Sequence, residues 1–179
     1  MLVGIFAVIM VMQAGTAGPP LSPAPHDPVV QRTDDGMVLG TIGAVDANEL
    51  EEAKLAATKA STSEVRNLAT ALVKDHGRSL QTGARLAKQF HIARLLPADS
   101  AMARAHVVEM VQLNTLTGAA FDKAFVEYTL ADHTAVIVKI KATLLAAAKR
   151  PQVKAFVRAL LPELAAHQQS EAKWLAAHP

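Results

Sequence analysis

A chain of 179 residues with a formal charge of only +2 is long enough for one domain with a sizeable core, and it carries no field strong enough to hold nucleic acid. Half of its residues are apolar and only 4% are aromatic, a balance that favours alanine-lined helices over sheet. The absence of cysteine excludes disulfides, thiolate metal sites and cysteine nucleophiles.

Leu2 to Met12 form an apolar run that is too short to span a bilayer and has the length of a signal-peptide core. Gly15 and Ala17 fit the small-residue positions of a cleavage site, so residues 1–17 read as a signal peptide and the mature protein as periplasmic or secreted. No Lys or Arg precedes the run, which makes an uncleaved N-terminal membrane anchor the competing reading. Residues 18–37 contain Pro19, Pro20, Pro23, Pro25 and Pro28 and read as an extended linker. The domain is expected to occupy residues 38–177.

The first helix is expected from about Thr41 to Ala60, with Ile42, Val45, Leu50, Ala53, Ala56, Ala57 and Ala60 on one arc. Glu49 lies within that arc. Ser61-Thr62-Ser63 breaks the helix, and Thr62 or Ser63 can cap the next. The second helix, about Glu64 to Phe90, carries His76 near the centre of its apolar stripe and Asp75 at the edge. Its opposite face holds Lys74, Arg78, Arg85 and Lys88, read as a solvated row. A connector from His91 to Thr117 holds a short helix after Pro97, with Met102, Val107, Met110 and Leu113 expected inward and His106 on the surface or rim. The third long helix, about Ala119 to Lys149, sets His133 among Phe125, Thr129, Val136 and Ile140. The fourth, about Gln152 to Ala177, carries His167 inside its arc and Glu163 at its edge. Pro162, one turn before His167, is expected to interrupt it.

Glu49 and His76 are equidistant from the Ser61–Ser63 break, and His133 and His167 are equidistant from Arg150. Two antiparallel helices joined by a short turn place such residues level, so one acid and three imidazoles fall at one height in a four-helix bundle. Buried groups of this kind are generally paired. Neutral imidazoles with a carboxylate suit zinc, iron, copper or manganese better than calcium or magnesium, making Glu49, His76, His133 and His167 the candidate metal ligands. The same four residues equally suit a buried hydrogen-bond network. That second reading predicts destabilisation on acidification, as buried imidazoles become charged.

Asp75 and Asp132 each precede a layer histidine and point about 100° away from it, so they are either partners across a helix boundary or solvated. Glu171 is an outer candidate ligand, with a rim salt bridge favoured. Tyr128 flanks the His133 stripe and could donate a hydrogen bond there. His26 and His178 read as unstructured polar residues. No glycine-rich phosphate loop, serine elbow or HExxH motif is present, and one Trp with one Tyr gives no stacking platform for nucleic acid. Acid–base catalysis by Glu49 beside the histidines is a third reading, without a substrate pocket to support it.

Several of these segments also carry a resemblance. Glu49 before Leu55-Ala56-Ala57-Thr58-Lys59-Ala60-Ser61, Val73-Lys74-Asp75-His76, Phe121-Asp122, Ala131-Asp132-His133 and Leu161-Pro162-Glu163-Leu164 before His167 resemble the bacterial exported domain of unknown function family 4142. The resemblance covers about residues 38 to 175. It implies an exported protein with an all-α, ferritin-like four-helix bundle and a short extra helix in the connector between the second and third long helices. Members often carry an outer-membrane label, but alanine-rich helices cannot form a transmembrane β-barrel, and no partner is implied beyond association with the cell envelope. Ferritin-like di-iron sites use two Glu-x-x-His motifs. Here Val73, Leu130 and Leu164 stand three residues before the histidines, so a classical di-iron centre is not expected.

Overall fold

The computed structural model describes residues 34–94 and 101–179, so the expected signal peptide at 1–17 and almost all of the expected linker at 18–37 lie outside the described residues. Among these residues the chain is all helical. The elements are α1 (Asp34–Lys59), α2 (Ser63–Gln89), α3 (Ala101–Thr115), α4 (Gly118–Lys139), a π-helical turn (Ile140–Leu144), α5 (Leu145–Ala147) and α6 (Pro151–Ala177). The π turn and α5 continue α4 as one rod, so the four long helices are α1, α2, α4 with its extension, and α6. Short α3 sits in the connector.

The first helix begins earlier than the linker boundary at residue 37 implied. Asp34 and Asp35 open α1, where negative charge is favoured by the helix dipole. Val38 and Leu39 extend its buried stripe. Asp35 also accepts hydrogen bonds from the Lys149 and Arg150 amides and pairs with the Arg150 guanidinium at 2.9 Å, which fixes the start of α1 to the turn before α6.

At the other end, Asp122 in the first turn of α4 accepts bonds from the amides and hydroxyls of Ser61 and Thr62, at 2.8–2.9 Å. Thr62 in turn caps α2 through its hydroxyl and the Val65 amide. These two clamps settle the topology. The α1–α2 turn and the start of α4 share one end of the bundle, and the start of α1 and the α5–α6 turn share the other. Helices α1 and α6 therefore run one way, α2 and α4 the other, and the α3 connector returns the chain along the bundle. One long crossover of this kind is the ferritin-like arrangement.

Two local ends were not legible from residue type. His91 adopts φ 51°, its amide donates to the Lys88 carbonyl, and the Ile92 amide donates to the Ala87 carbonyl. This is a Schellman ending of α2 built on histidine where glycine is usual. Gly118, at φ 60°, makes the tight entry into α4. Pro162 does not break α6, which is continuous from Pro151 to Ala177; its ring is exposed, and it costs the helix one amide donor. The connector helix turns Met102, Met110 and Leu113 inward as expected, but Val107 outward and His106 inward against expectation. Val107 is 61% exposed, and the inward stripe runs through Met102, His106, Glu109, Met110 and Leu113.

The apolar core is divided in two. One half gathers Leu39, Ile42, Val136, Ile140, Leu144, Val153 and Val157. The other gathers Ala53, Ala56, Val65, Leu72, Leu113, Phe121 and Phe125. Phe121 and Phe125 are both fully buried, and each contributes roughly 1.5–3 kcal/mol of burial free energy. Between the halves lies a polar layer, and these two apolar plugs shield it from both ends of the bundle.

Candidate metal centre

His76, His133 and His167 meet in that layer, and Glu49 joins it through His76 and His133; each long helix supplies one of the four, with relative exposures of 7% or less. The three imidazole centroids lie 5.0–5.7 Å apart, and each ring offers a nitrogen within 4.8 Å of the others. His76 Nε2 and His133 Nε2 are 3.4 Å apart, and Glu49 Oε2 lies 3.3 Å from His133 Nε2 and 2.7 Å from His76 Nε2. A tetrahedral ion with ligand bonds of 2.0–2.1 Å has ligand–ligand edges of about 3.3 Å. Of the three edges among His76, His133 and Glu49, two already have that length, and the third is shorter by about half an ångström.

The outward-facing ring nitrogens are equally ordered. His76 Nδ1 lies 3.0 Å from Asp46 Oδ1, His133 Nδ1 lies 2.9 Å from the Glu171 carboxylate, and His167 Nε2 lies 3.1 Å from Asp75 Oδ2. Every imidazole is thus held from behind by a carboxylate, the arrangement that fixes tautomer and ring direction at metal sites. The inward atoms are less evenly provided for: His76 Nε2 pairs closely with Glu49, and His133 Nε2 more loosely. His167 Nδ1 is buried with no hydrogen bond, and both Glu49 oxygens are buried without an aligned donor, their contacts with the two rings being those of an ion pair. Buried polar atoms without partners are costly and rare.

Electrostatics bind the layer tightly without an ion as well. Burial disfavours the His76 imidazolium, but the Asp46 and Glu49 carboxylates overcome this and raise its pKa to about 10. His133 is likewise disfavoured by burial and raised by Glu171 and Glu49 to about 9. For Glu49 burial pushes upward, while contact with His133 and His76 prevails and holds it at about 2. His167 differs: burial, with the positive charge of His133, lowers its pKa despite Asp75. The expectation that acid would destabilise by charging all the buried imidazoles is corrected for His76 and His133, which already carry protons at neutral pH.

Sequence reasoning missed several of these groups. Asp46 is 4% exposed and Glu52 is fully buried, and nothing in the sequence pattern singled either out. Glu171 was placed on the rim, but it is fully buried and paired with His133 at 2.9 Å. Asp75 is the cross-helix partner of His167, and Arg78 ties the same carboxylate to Glu163. Tyr128 donates to Gln112 on α3 and not to His133. A cavity of about 490 Å³ between α1, α3 and α4 is lined by Glu49, Asp132, Val45, Met102 and Ala105 and connects the layer with the surface.

The model of the domain of unknown function DUF4142 matches residues 19–173. The chain belongs to the DUF4142 family. Its bundle is similar to solved structures of low sequence identity, which speak for the fold alone. A DUF305 protein from Streptomyces coelicolor described as secreted is 15% identical, with a TM-score of 0.68 over 81% of this chain and 93% of that one. CopM in a silver-bound form is 17% identical, with a TM-score of 0.62 over 83% of this chain and 98% of that one. CopM in a copper(II)-bound form is 17% identical, with a TM-score of 0.62 over 79% and 95%. No match was found among curated proteins. Within the described residues of this DUF4142 chain, no helix is long and apolar enough to cross a membrane.

Proposed function

We propose that this DUF4142 protein binds one divalent transition-metal ion through Glu49, His76, His133 and His167, and serves in metal sequestration or protection from metal stress in the cell envelope. The observation that carries the reading is the orientation of the histidines. Each turns one nitrogen inward while a buried or half-buried carboxylate holds the other. His167 Nδ1, buried without a hydrogen bond, and the Glu49 carboxylate, which already contacts two of the rings, supply the remaining donors. Three imidazoles with one carboxylate suit zinc, copper, iron or manganese, and copper(II) binds tightest in the general order of affinities. The fold likeness to CopM, whose structures hold silver and copper(II), gives copper further support. The absence of Glu-x-x-His motifs speaks against a classical di-iron centre.

The leader read at residues 1–17 would deliver the domain to the periplasm or the exterior, and N-terminal sequencing of the mature protein separates this from an uncleaved anchor. Metal analysis of protein purified without a histidine tag tests the binding reading. The expected result is close to one ion per chain in the wild type and none in a His76→Ala/His133→Ala variant. Equal, negligible metal in both would overturn it.

One observation favours a second reading. Glu49 Oε2 approaches His76 Nε2 to 2.7 Å, so the layer has an internally charge-balanced state without an ion. A purely structural or interaction protein built on that network predicts a melting temperature indifferent to chelator. A large chelator-induced fall counts against it.

A further inference from the structure

Three residues beyond Glu49 on α1, a second cluster faces the connector helix. Glu52 on α1 meets His106 and Glu109 on α3, each offering a ligand atom within 4.8 Å of the others. His106 and Glu109 are one turn apart on one face of α3, so a single docking of that helix delivers both. His106 Nδ1 lies 2.7 Å from Glu52 Oε1, and His106 Nε2 lies 3.2 Å from Glu51 Oε2. An ion pair between His106 and its two carboxylates would account for those contacts. It leaves out the other oxygen of Glu52: this side chain is fully buried, and Oε2 is sealed from solvent without any hydrogen-bond partner. It also gives no reason for Glu109 to crowd a third carboxylate against the same imidazole.

We infer that Glu52, His106 and Glu109 form a second divalent-cation site, distinct in its donors from the histidine layer. One imidazole with two carboxylates is a mainly oxygen set, suited to manganese(II), iron(II) or zinc and poorly suited to silver or copper(I). The ion takes the place of the proton shared by His106 Nδ1 and Glu52 Oε1, and the Glu52 carboxylate gains a partner for Oε2. Glu51, 63% exposed, holds the far nitrogen of His106 and acts as a positioning residue. The inward phase of α3, which puts His106 and Glu109 against α1 and leaves Val107, Val108 and Val111 exposed, follows from the same contact.

The inference does not depend on the histidine layer, and the test keeps the two apart. Metal-free mature protein is titrated with manganese(II), and bound ion is counted from the loss of the free-manganese EPR signal. The comparison includes wild type, Glu52→Gln, His106→Ala and Glu51→Ala, with circular dichroism to confirm folding. The same titration is run on His76→Ala/His133→Ala. The expected result is that Glu52→Gln and His106→Ala each lose one bound manganese relative to wild type, while the layer variant retains it. Glu51→Ala should weaken that ion by roughly 10-fold or more. His106 lies on a partly exposed surface of α3, so its variant carries the test if Glu52→Gln fails to fold. Equal manganese binding in wild type and His106→Ala, including none in either, overturns the proposal.

Discussion

Loading the histidine layer with metal must expel protons, and the geometry says how many. Metal ligation requires unprotonated imidazole nitrogen. His76, raised to about 10, and His133, raised to about 9, are both protonated at neutral pH. His167 is lowered and Glu49 is held at about 2, so neither has a proton to release. Binding one ion at pH 7 should therefore release about two protons. The neutral fractions are roughly one in a thousand for His76 and one in a hundred for His133, which together reduce affinity about 10⁵-fold, or about 7 kcal/mol, relative to high pH. Apparent affinity should rise about 100-fold per pH unit from neutrality towards pH 9, about 10-fold over the next unit, and flatten above about pH 10. Isothermal calorimetry of zinc binding in two buffers of different ionisation enthalpy counts the protons, and competition with a chelator across pH 6–9 gives the slope. Release of fewer than one proton together with a flat pH profile would refute the reasoning, because the layer would then not be an acid-loaded pair awaiting exchange.

Three further outcomes follow from the same contacts. In chelator-treated protein, His76 and His133 have folded pKa values above that of free imidazole, so their stabilisation is complete below about pH 6.5 and is lost as pH rises through 9 to 10. Glu49 contributes above about pH 4.5 and fades as pH falls towards 2, so these three groups hold the melting temperature level from about pH 5 to 6.5 and lower it progressively from there to about pH 10; a melting curve that climbs between pH 7 and 9 contradicts these signs. Glu171→Gln and Asp75→Asn should each weaken metal binding by roughly 10- to 100-fold while the ion count stays the same, measured by chelator competition, and unchanged affinity would deny these carboxylates an orienting role. His91→Gly should stabilise the fold by roughly 1 kcal/mol in urea unfolding, since glycine removes the left-handed strain while the Schellman bonds remain; destabilisation would mean that the imidazole makes a compensating contact.

Much of the bundle was legible because its periodicity and its turns agree. Thr62 and Pro151 sit where a cap and a first-turn proline belong, and the residues equidistant from those turns do meet. What escaped was carboxylate burial. Asp46, Glu52 and Glu171 have the sequence surroundings of surface acids, and each is buried only because a histidine on another helix claims it. On α3, Met102, Met110 and Leu113 were legible as inward residues, whereas Val107 and His106 were exchanged, because Val107, Val108 and Val111 make the outer face apolar and His106 pairs with Glu52 across the gap. The starting point of α1 was misread because five nearby prolines argued for linker, while the Asp35 clamp to Arg150 acts at a separation of more than a hundred residues. Local chemistry fixes helices and turns well, whereas cross-helix polar pairing needs the assembled bundle.

The most direct measurement of the central claim is X-ray absorption on the stoichiometric zinc or copper(II) complex of untagged His106→Ala protein, which leaves the histidine layer as the intended site. The account predicts a shell of nitrogen and oxygen at about 2.0–2.1 Å with multiple scattering from about three imidazoles, lost in the additional absence of His76 and His133. A shell of oxygen alone, or an unchanged imidazole count after His76 and His133 are removed, would contradict it.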